Sequence, residues 1–333
     1  MILTIFLFLA SAGAIYLACE YFVNAVEWLG KRLSLSATAT GSVLAAFGTA
    51  LPESAVTAAA VAFGRTPEAR DLGVGAAVGG PLVLATIAYA VVGLTLIRTQ
   101  QSRTGASSRV AIDQRRLSSD QGWFLGIFLC TVLLGLVTFA LKPWIAVALL
   151  LAYGLYVWRE IRSGETAPEE EALEPLKLQP RAPTPAWGWI VSQTLAALGV
   201  IAYASHIFVS QLESLGAALH LAPHVVALLL SPVATELPET LNALIWVRQG
   251  KERLALANIS GAMMIQATIP SALGIYFTPW RFDAPLVAAS VVTIAAVVLL
   301  WSLFRRGAMT GRTLACSGLL YAVFAAYVLW YFN

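Results

Sequence analysis

Two copies of one short motif place acidic side chains inside long apolar stretches. Residues 48–53 read Gly-Thr-Ala-Leu-Pro-Glu, and residues 234–239 read Ala-Thr-Glu-Leu-Pro-Glu. An ionisable side chain in a membrane helix costs about 2.5–3.5 kcal/mol, and a proline there frees the carbonyl four residues earlier. Threonine hydroxyls, carboxylates and freed carbonyls are the hard oxygen ligands that a metal cation prefers. The motif therefore predicts a cation site.

The polar residues around each motif recur at helical spacing. Positions three and four apart share one face of a helix, which gives two stripes: Ser42, Thr49 and Glu53 in the first copy, and Ser231, Thr235, Glu236, Glu239 and Asn242 in the second. If the two helices cross near mid-membrane, Glu53 and Glu239 face one another and need a cation or a proton between them. A single buried glutamate is equally compatible with a protonated, hydrogen-bonded side chain, but the repetition favours ion binding.

The composition is that of a membrane protein. Of 333 residues, 59% are hydrophobic and 12% are charged. Ten stretches approach or exceed the roughly 20 residues that span a bilayer: 2–29, 37–64, 71–97, 122–141, 143–161, 187–217, 223–247, 254–278, 284–304 and 313–332. The predicted fold is an all-α polytopic membrane protein with ten transmembrane helices. These helices lack a Ser/His dyad, a zinc motif and a phosphate loop, so neither an enzyme, a cofactor nor a nucleic-acid partner is expected.

The basic residues predict the orientation. Of 21 Lys and Arg residues, 17 fall in alternate connections. Positive connections stay in the cytoplasm, so both termini are expected on the periplasmic side of a plasma (inner) membrane, with the main linkers cytoplasmic. The basic, Ser-rich connection 98–121 suits a tether to anionic lipid heads, or equally a solvated linker.

The chain is an internal duplication. At an offset of 186 residues Thr49, Pro52 and Glu53 meet Thr235, Pro238 and Glu239, and after a gap the offset becomes 182. The predicted units are 1–161 and 187–333, joined by a flexible Pro/Glu-rich linker over 162–186. Because five helices are an odd number, the second half is expected to be inverted, as in transporters whose substrate site lies at mid-membrane.

The two motifs resemble the alpha-repeats of the cation/calcium exchanger superfamily, which carry Gly-Thr-Ser-Leu-Pro-Glu, and the resemblance covers both halves. It implies a ten-helix antiporter that exchanges Ca²⁺ for Na⁺ or H⁺ by alternating access, with Glu53 and Glu239 as the central ligands. The further ligands that it implies are the threonines Thr49 and Thr235 and the carbonyls of Ala46 and Pro232.

Several positions depart from that pattern. The serine before Leu-Pro-Glu is Ala50 in one copy and Glu236 in the other. On the next helix, an expected ligand position holds Leu84 in the first half and Gln266 in the second, so Glu236 is predicted to replace a missing acid. Three close carboxylates titrate as a group, which makes proton exchange plausible.

Two alternatives to Na⁺/Ca²⁺ exchange therefore stay open: a cation/H⁺ exchanger that does not depend on Na⁺, and a transport-inactive cation sensor. Inorganic cations and the bilayer are the expected partners, and the sequence is compatible with a monomer. The repeat partners Glu20 and His206 either line a proton path or make interface hydrogen bonds.

Overall fold

The computed structural model describes residues 2–63, 67–102, 114–137, 142–162, 173–220 and 225–332, except the side chains of 51–53, 55–56, 58–60, 63, 67–72, 100–102, 213 and 227. The regular elements of this part are helices. In the first half they are α1 (Ile2–Arg32), α2 (Ala37–Ala39, a π-helical segment Thr40–Ala45 and Ala46–Phe63), α3 (Pro67–Val83, a π-helical segment Leu84–Ala88 and Tyr89–Ser102), α4 (Gln114–Leu136) and α5 (Lys142–Arg162).

The second half repeats this order. Its helices are α6 (Trp187–Ala218), α7 (a π-helical segment Val226–Leu230, Ser231–Thr235 and Leu237–Arg248), α8 (Glu252–Phe277), α9 (Ala284–Arg305) and α10 (Gly311–Tyr331). Polar caps mark the starts of α9 and α10: Asp283 accepts a hydrogen bond from the Leu286 N–H at 3.0 Å, and Thr310 forms a capping box with Thr313. Such caps satisfy backbone donors at a helix start.

Seven segments in the described part are long and apolar enough to cross a membrane: Ile2–Arg32, Gly73–Thr99, Gln114–Leu136, Lys142–Arg162, Trp187–Ala218, Ala284–Arg305 and Gly311–Tyr331. The helices outside this set, α2, α7 and α8, carry the two motifs and the third-helix position Gln266. In α7 the helix is interrupted at Glu236, and α8 contains polar residues such as Asn258 and Gln266. Their membrane crossing stays a prediction.

Helix α8 forms the centre of the molecule. Every residue from Leu254 to Thr268 is buried, and α8 packs against α2, α4, α5 and α7. Close backbone approach requires glycine at two positions: a Cβ on Gly261 would collide with the Ser42 carbonyl, and one on Gly41 would lie 2.8 Å from the Leu254 carbonyl oxygen. The central, more polar helix is thus shielded from lipid by its neighbours, and the motif helix α2 of the first half is held against the second half.

The second part of the linker is docked rather than free. Residues 173–186 lie against α1 and α6, where Leu176 is fully buried. Asn24 of α1 donates to the Pro175 carbonyl at 3.2 Å and accepts from the Lys177 N–H at 3.0 Å, and Gln193 of α6 accepts from the Leu178 N–H at 2.8 Å. The prediction of a flexible linker is wrong for these residues, because helix side chains satisfy their backbone groups. Residues 163–172 lie outside the described part.

Candidate cation site

The second motif occupies a break between two helices. One helical segment, Ser231–Thr235, ends just before Glu236, and the next, Leu237–Arg248, begins just after it. The φ and ψ angles of Glu236 are −83° and 7°. Pro238 has no N–H to donate, so the α-helical ladder cannot run through this point. The Glu236 N–H donates to the Pro232 carbonyl at 3.1 Å, while the N–H and hydroxyl of Thr240 donate to the Glu236 carbonyl at 3.1 and 2.9 Å. Glu236 is thereby fixed at the joint, fully buried.

Three helices meet at the Glu236 carboxylate. Gln266 of α8 donates from Nε2 to Glu236 Oε1 at 2.6 Å. A Cβ on Gly80 of α3 would lie 2.7 Å from that same Oε1 and 2.5 Å from Gln266 Oε1. The lack of a side chain at Gly80 therefore leaves the room that the larger Glu236 and Gln266 side chains occupy. The structure brings together these two predicted site residues from different helices.

Glu239 lies one turn further along α7 and is 1% exposed. The Asn258 amide donates to its backbone carbonyl at 3.4 Å, and Cys19 Sγ of α1 lies 3.8 Å from the carbonyl of the preceding Pro238. Asn242, one further turn along, is fully buried, and among the described residues neither of its amide atoms has a hydrogen-bond partner. Asn258 Oδ1 has none there either. Two amide oxygens near Glu239 thus retain coordination capacity.

The first motif is described only in part. Thr49 is buried, and its hydroxyl donates to the Ala45 carbonyl at 3.1 Å. Ala46 is fully buried and follows the π-helical segment of α2. The side chain of Glu53 lies outside the described part of the structure. Its approach to Glu239 therefore stays a prediction.

Thr235 and Pro232 are tied to each other in this structure. The Thr235 hydroxyl donates to the Pro232 carbonyl at 3.1 Å, the same oxygen that accepts from the Glu236 N–H. Gly79 of α3 lies against the Pro232 ring, where a Cβ would lie 2.9 Å from Pro232 Cγ. The Thr235 hydroxyl keeps its oxygen lone pairs while it donates, whereas the Pro232 carbonyl oxygen already accepts two hydrogen bonds.

A buried polar network next to the site was missed by sequence reasoning. Glu160 of α5 is fully buried, accepts from Arg116 at 2.8 Å and lies 3.4 Å from the hydroxyl of Ser42. Beside it Gln121 donates to Tyr89 at 2.7 Å and to Ser260 at 3.1 Å. The available signal was an acid near the end of an apolar helix, but such residues usually reach water, so helix position alone could not place Glu160 in the interior.

Other acidic residues have structural partners. Glu20 forms a partly exposed ion pair with Lys177 at 3.2 Å, and His206 is exposed on α6. Among the described residues, no hydrogen bond or ion pair joins Glu20 to His206. Glu27 accepts from Trp246 Nε1 at 2.8 Å and pairs with Lys251. It is 8% exposed, so its carboxylate is held inside the protein by these two partners.

Known proteins share both the sequence pattern and the fold. The profile of the family described as "Sodium/calcium exchanger protein" matches residues 3–162 and 189–332. A structure of the sodium-calcium exchanger NCX_Mj soaked with 2.5 mM Na⁺ and 10 mM Sr²⁺ is 19% identical, with a TM-score of 0.76 over 98% of each chain. Another, soaked with 100 mM Na⁺ and 10 mM Sr²⁺, is 20% identical, with a TM-score of 0.76 over 98% of each chain.

A third NCX_Mj structure, soaked with zero Na⁺ and Ca²⁺, is 19% identical with a TM-score of 0.74, covering 98% of this chain and 99% of that one. At these identities the likeness shows the fold alone. No curated protein matches the chain. The family assignment rests on the profile, which spans both halves. The chain belongs to the sodium/calcium exchanger family, and it is a secondary transporter of cations rather than an enzyme.

Proposed function

We propose that the chain exchanges Ca²⁺ for Na⁺ or H⁺ by alternating access at a site between α2, α3, α7 and α8. Glu53 and Glu239 are its central ligands, and Glu236 is a third carboxylate. The observation that carries this proposal is the burial of Glu236 and Glu239, at 0% and 1% exposure, one turn apart on α7, with Gly80 and Gln266 converging on Glu236. Ionisable residues inside a membrane are costly, which makes a functional role the first hypothesis for such a pair.

The remaining ligands in this proposal are oxygens on the same helices. Thr49, Thr235 and the carbonyls of Ala46 and Pro232 are the ligands that the family pattern suggests, and Gln266 adds an amide oxygen. Asn242 and Asn258 extend the set toward the far end of α7, where their buried amide oxygens lack a described partner. Carboxylate, amide, hydroxyl and carbonyl oxygens together match the preference of Ca²⁺ for six to eight oxygen ligands.

An inverted duplication would account for alternating access. The π-helical segments Thr40–Ala45 and Val226–Leu230 begin at positions separated by the same 186 residues that align the two motifs. This supports two homologous units, 1–161 and 187–333, each of five membrane helices. With both termini outside and the main linkers cytoplasmic, rocking of one unit against the other would expose the central site to either side.

Proton coupling is the second candidate for the driving ion. The third helix of the first half presents the buried Leu84 at a position that holds an oxygen ligand in the family pattern. Fewer neutral oxygens weaken Na⁺ coordination, whereas the added carboxylate at Glu236 supplies a group that can carry a proton. A Ca²⁺ gradient should then move protons in sodium-free vesicles, as measured with an internal pH dye. Ca²⁺ flux that strictly requires Na⁺ would remove this candidate.

Flux in proteoliposomes tests the site. Glu53→Gln and Glu239→Gln should each abolish Ca²⁺ uptake, because the amide keeps the shape and removes the charge. Glu252→Gln, at the partly exposed start of α8, is the matched control and should retain uptake. Wild-type transport in both site variants would overturn the assignment. Cation binding without flux in the wild type would show a sensor rather than a transporter.

A further inference from the structure

A groove between α4 and α9 has features unrelated to the cation site. Its volume is about 780 Å³, and its lining includes Arg115 and Trp123 of α4 and Trp301 and Arg305 of α9. Arg115 lies at the start of α4 and Arg305 at the end of α9, so both arginines mark the same end of the groove. The distribution of basic residues predicts this end to be cytoplasmic.

At the charged end of the groove, arginine side chains lie over tryptophan rings. The Arg305 guanidinium lies over the Trp301 ring at 5.2 Å and forms no salt bridge within the described residues. Ser119, on the groove wall, accepts a hydrogen bond from Arg159 at 2.7 Å, and Arg159 lies 5.7 Å from the centre of the Trp123 ring. Guanidinium groups and serine hydroxyls are donors suited to a phosphate.

The other end of the groove is apolar and open. Gly126 lies 11 residues beyond Arg115, which is about 16 Å along the helix. A Cβ at Gly126 would meet nothing within 4 Å, and Gly122 flanks the edge of the Trp301 ring. A channel that runs from paired arginines, past tryptophans, to uncovered space on a membrane helix fits a molecule with an anionic head and a hydrocarbon tail.

We propose that this groove binds an anionic phospholipid of the cytoplasmic leaflet. Its phosphate lies between Arg115 and Arg305, and one acyl chain runs between Trp123 and Trp301 over Gly126. The site would join the basic connection before α4 to the lipid surface and hold α4 against α9. It does not depend on which ion the protein transports.

Native mass spectrometry of the full chain in detergent with equal phosphatidylglycerol and phosphatidylcholine tests the proposal. Wild-type protein should retain phosphatidylglycerol about tenfold better than phosphatidylcholine, because two arginines favour the headgroup with a net negative charge. The Arg115→Ala/Arg305→Ala double variant should lose this preference, and Gly126→Leu should reduce retention of both lipids by filling the tail channel. Arg162→Ala is the matched control, because Arg162 stacks on Trp158 at 4.5 Å outside the groove.

Three outcomes would overturn the proposal: equal retention of the two lipids by the wild type, undiminished preference in the double variant, or complete displacement of phosphatidylglycerol by millimolar inorganic phosphate. The last result would identify a site for free phosphate instead of lipid. If the double variant does not fold, Gly126→Leu decides alone, since its position is open and a leucine there has room. Retention unchanged by Gly126→Leu would then exclude an acyl chain from the groove.

Discussion

The two copies of the motif share their residue spacing but differ in backbone course and charge. In the first copy Ala46–Phe63 is one continuous helix, and the residue before Leu-Pro-Glu is the buried Ala50. In the second copy the helix breaks at the equivalent position, Glu236, and a new helix starts at Leu237. Helix N-termini stabilise negative charge, so the break favours the carboxylates of Glu236 and Glu239.

The helices that follow the two motifs, α3 and α8, also differ in backbone course and in polar side chains. In α3 a π-helical segment, Leu84–Ala88, follows Pro81, and Gly80 offers no side chain. In α8 the corresponding stretch is continuous α-helix and carries Gln266. The second half thus contributes most of the described polar atoms at the site. In the proposed site, the larger Glu236 and Gln266 side chains of the second half thus occupy the room left by Gly80 of the first half.

Among the substitutions that test this difference between the halves, the largest expected effect comes from adding a side chain at Gly80. Gly80→Ser places a Cβ within 2.7 Å of Glu236 Oε1, so we expect Ca²⁺ uptake to fall at least about tenfold through displacement of both site side chains. Gly75→Ser on the same helix is the control, because a Cβ there meets nothing within 4 Å.

Adding Glu236→Ser to Gly80→Ser should relieve the clash and recover part of the uptake. The double variant tests whether a side chain at position 80 and the Glu236 side chain compete for the same space, as the comparison between the halves suggests. If Gly80→Ser alone transports like the wild type, the two positions do not compete for space.

Removing the additional acid should change the pH dependence. Glu236→Ser eliminates one of three coupled carboxylates, and so the pH profile of Ca²⁺ flux should shift while some flux remains. Ala50→Ser introduces the same residue, serine, at the equivalent position of the first copy. It should leave the pH profile unaltered, because no carboxylate is lost. Identical profiles for Glu236→Ser and wild type would remove the proposed role of Glu236.

Asn242 should show opposite effects on stability and transport. The Asn242 amide is buried and has no hydrogen-bond partner among the described residues. Replacing it with the similarly sized leucine should raise the free energy of unfolding by about 1–3 kcal/mol, seen as a higher melting temperature in detergent. If Asn242 contributes an oxygen to the cation, the apparent Ca²⁺ affinity should fall severalfold. Lower stability together with unchanged affinity would instead indicate a structural amide.

Sequence reasoning located the helices and the family but not the local geometry. The lengths of the apolar stretches and the repeated Thr-X-Leu-Pro-Glu pattern were sufficient for these, since both can be read directly from the sequence. The start of α4 at Gln114 rather than near 122 was missed because its first turns are polar yet partly buried, as at Asp120.

The repeat alignment predicted Gln266 and Glu236 as site residues but not their hydrogen bond to each other. It did not predict the break at Glu236 either, because a proline weakens the helical hydrogen-bond ladder without specifying where the helix restarts. The docking of residues 173–186 was also unpredictable. It depends on Asn24 and Gln193, two polar residues on separate helices, meeting at one groove. The composition of a segment does not reveal which side chains elsewhere in the fold will hydrogen-bond to its backbone.

The most direct test of the account is a high-resolution density map of the region between Glu53 and Glu239, recorded with and without Ca²⁺. We expect a calcium-dependent peak about 2.3–2.6 Å from carboxylate oxygens of both residues. A map in which the two side chains point away from each other, or in which Ca²⁺ lies elsewhere, would contradict the shared site.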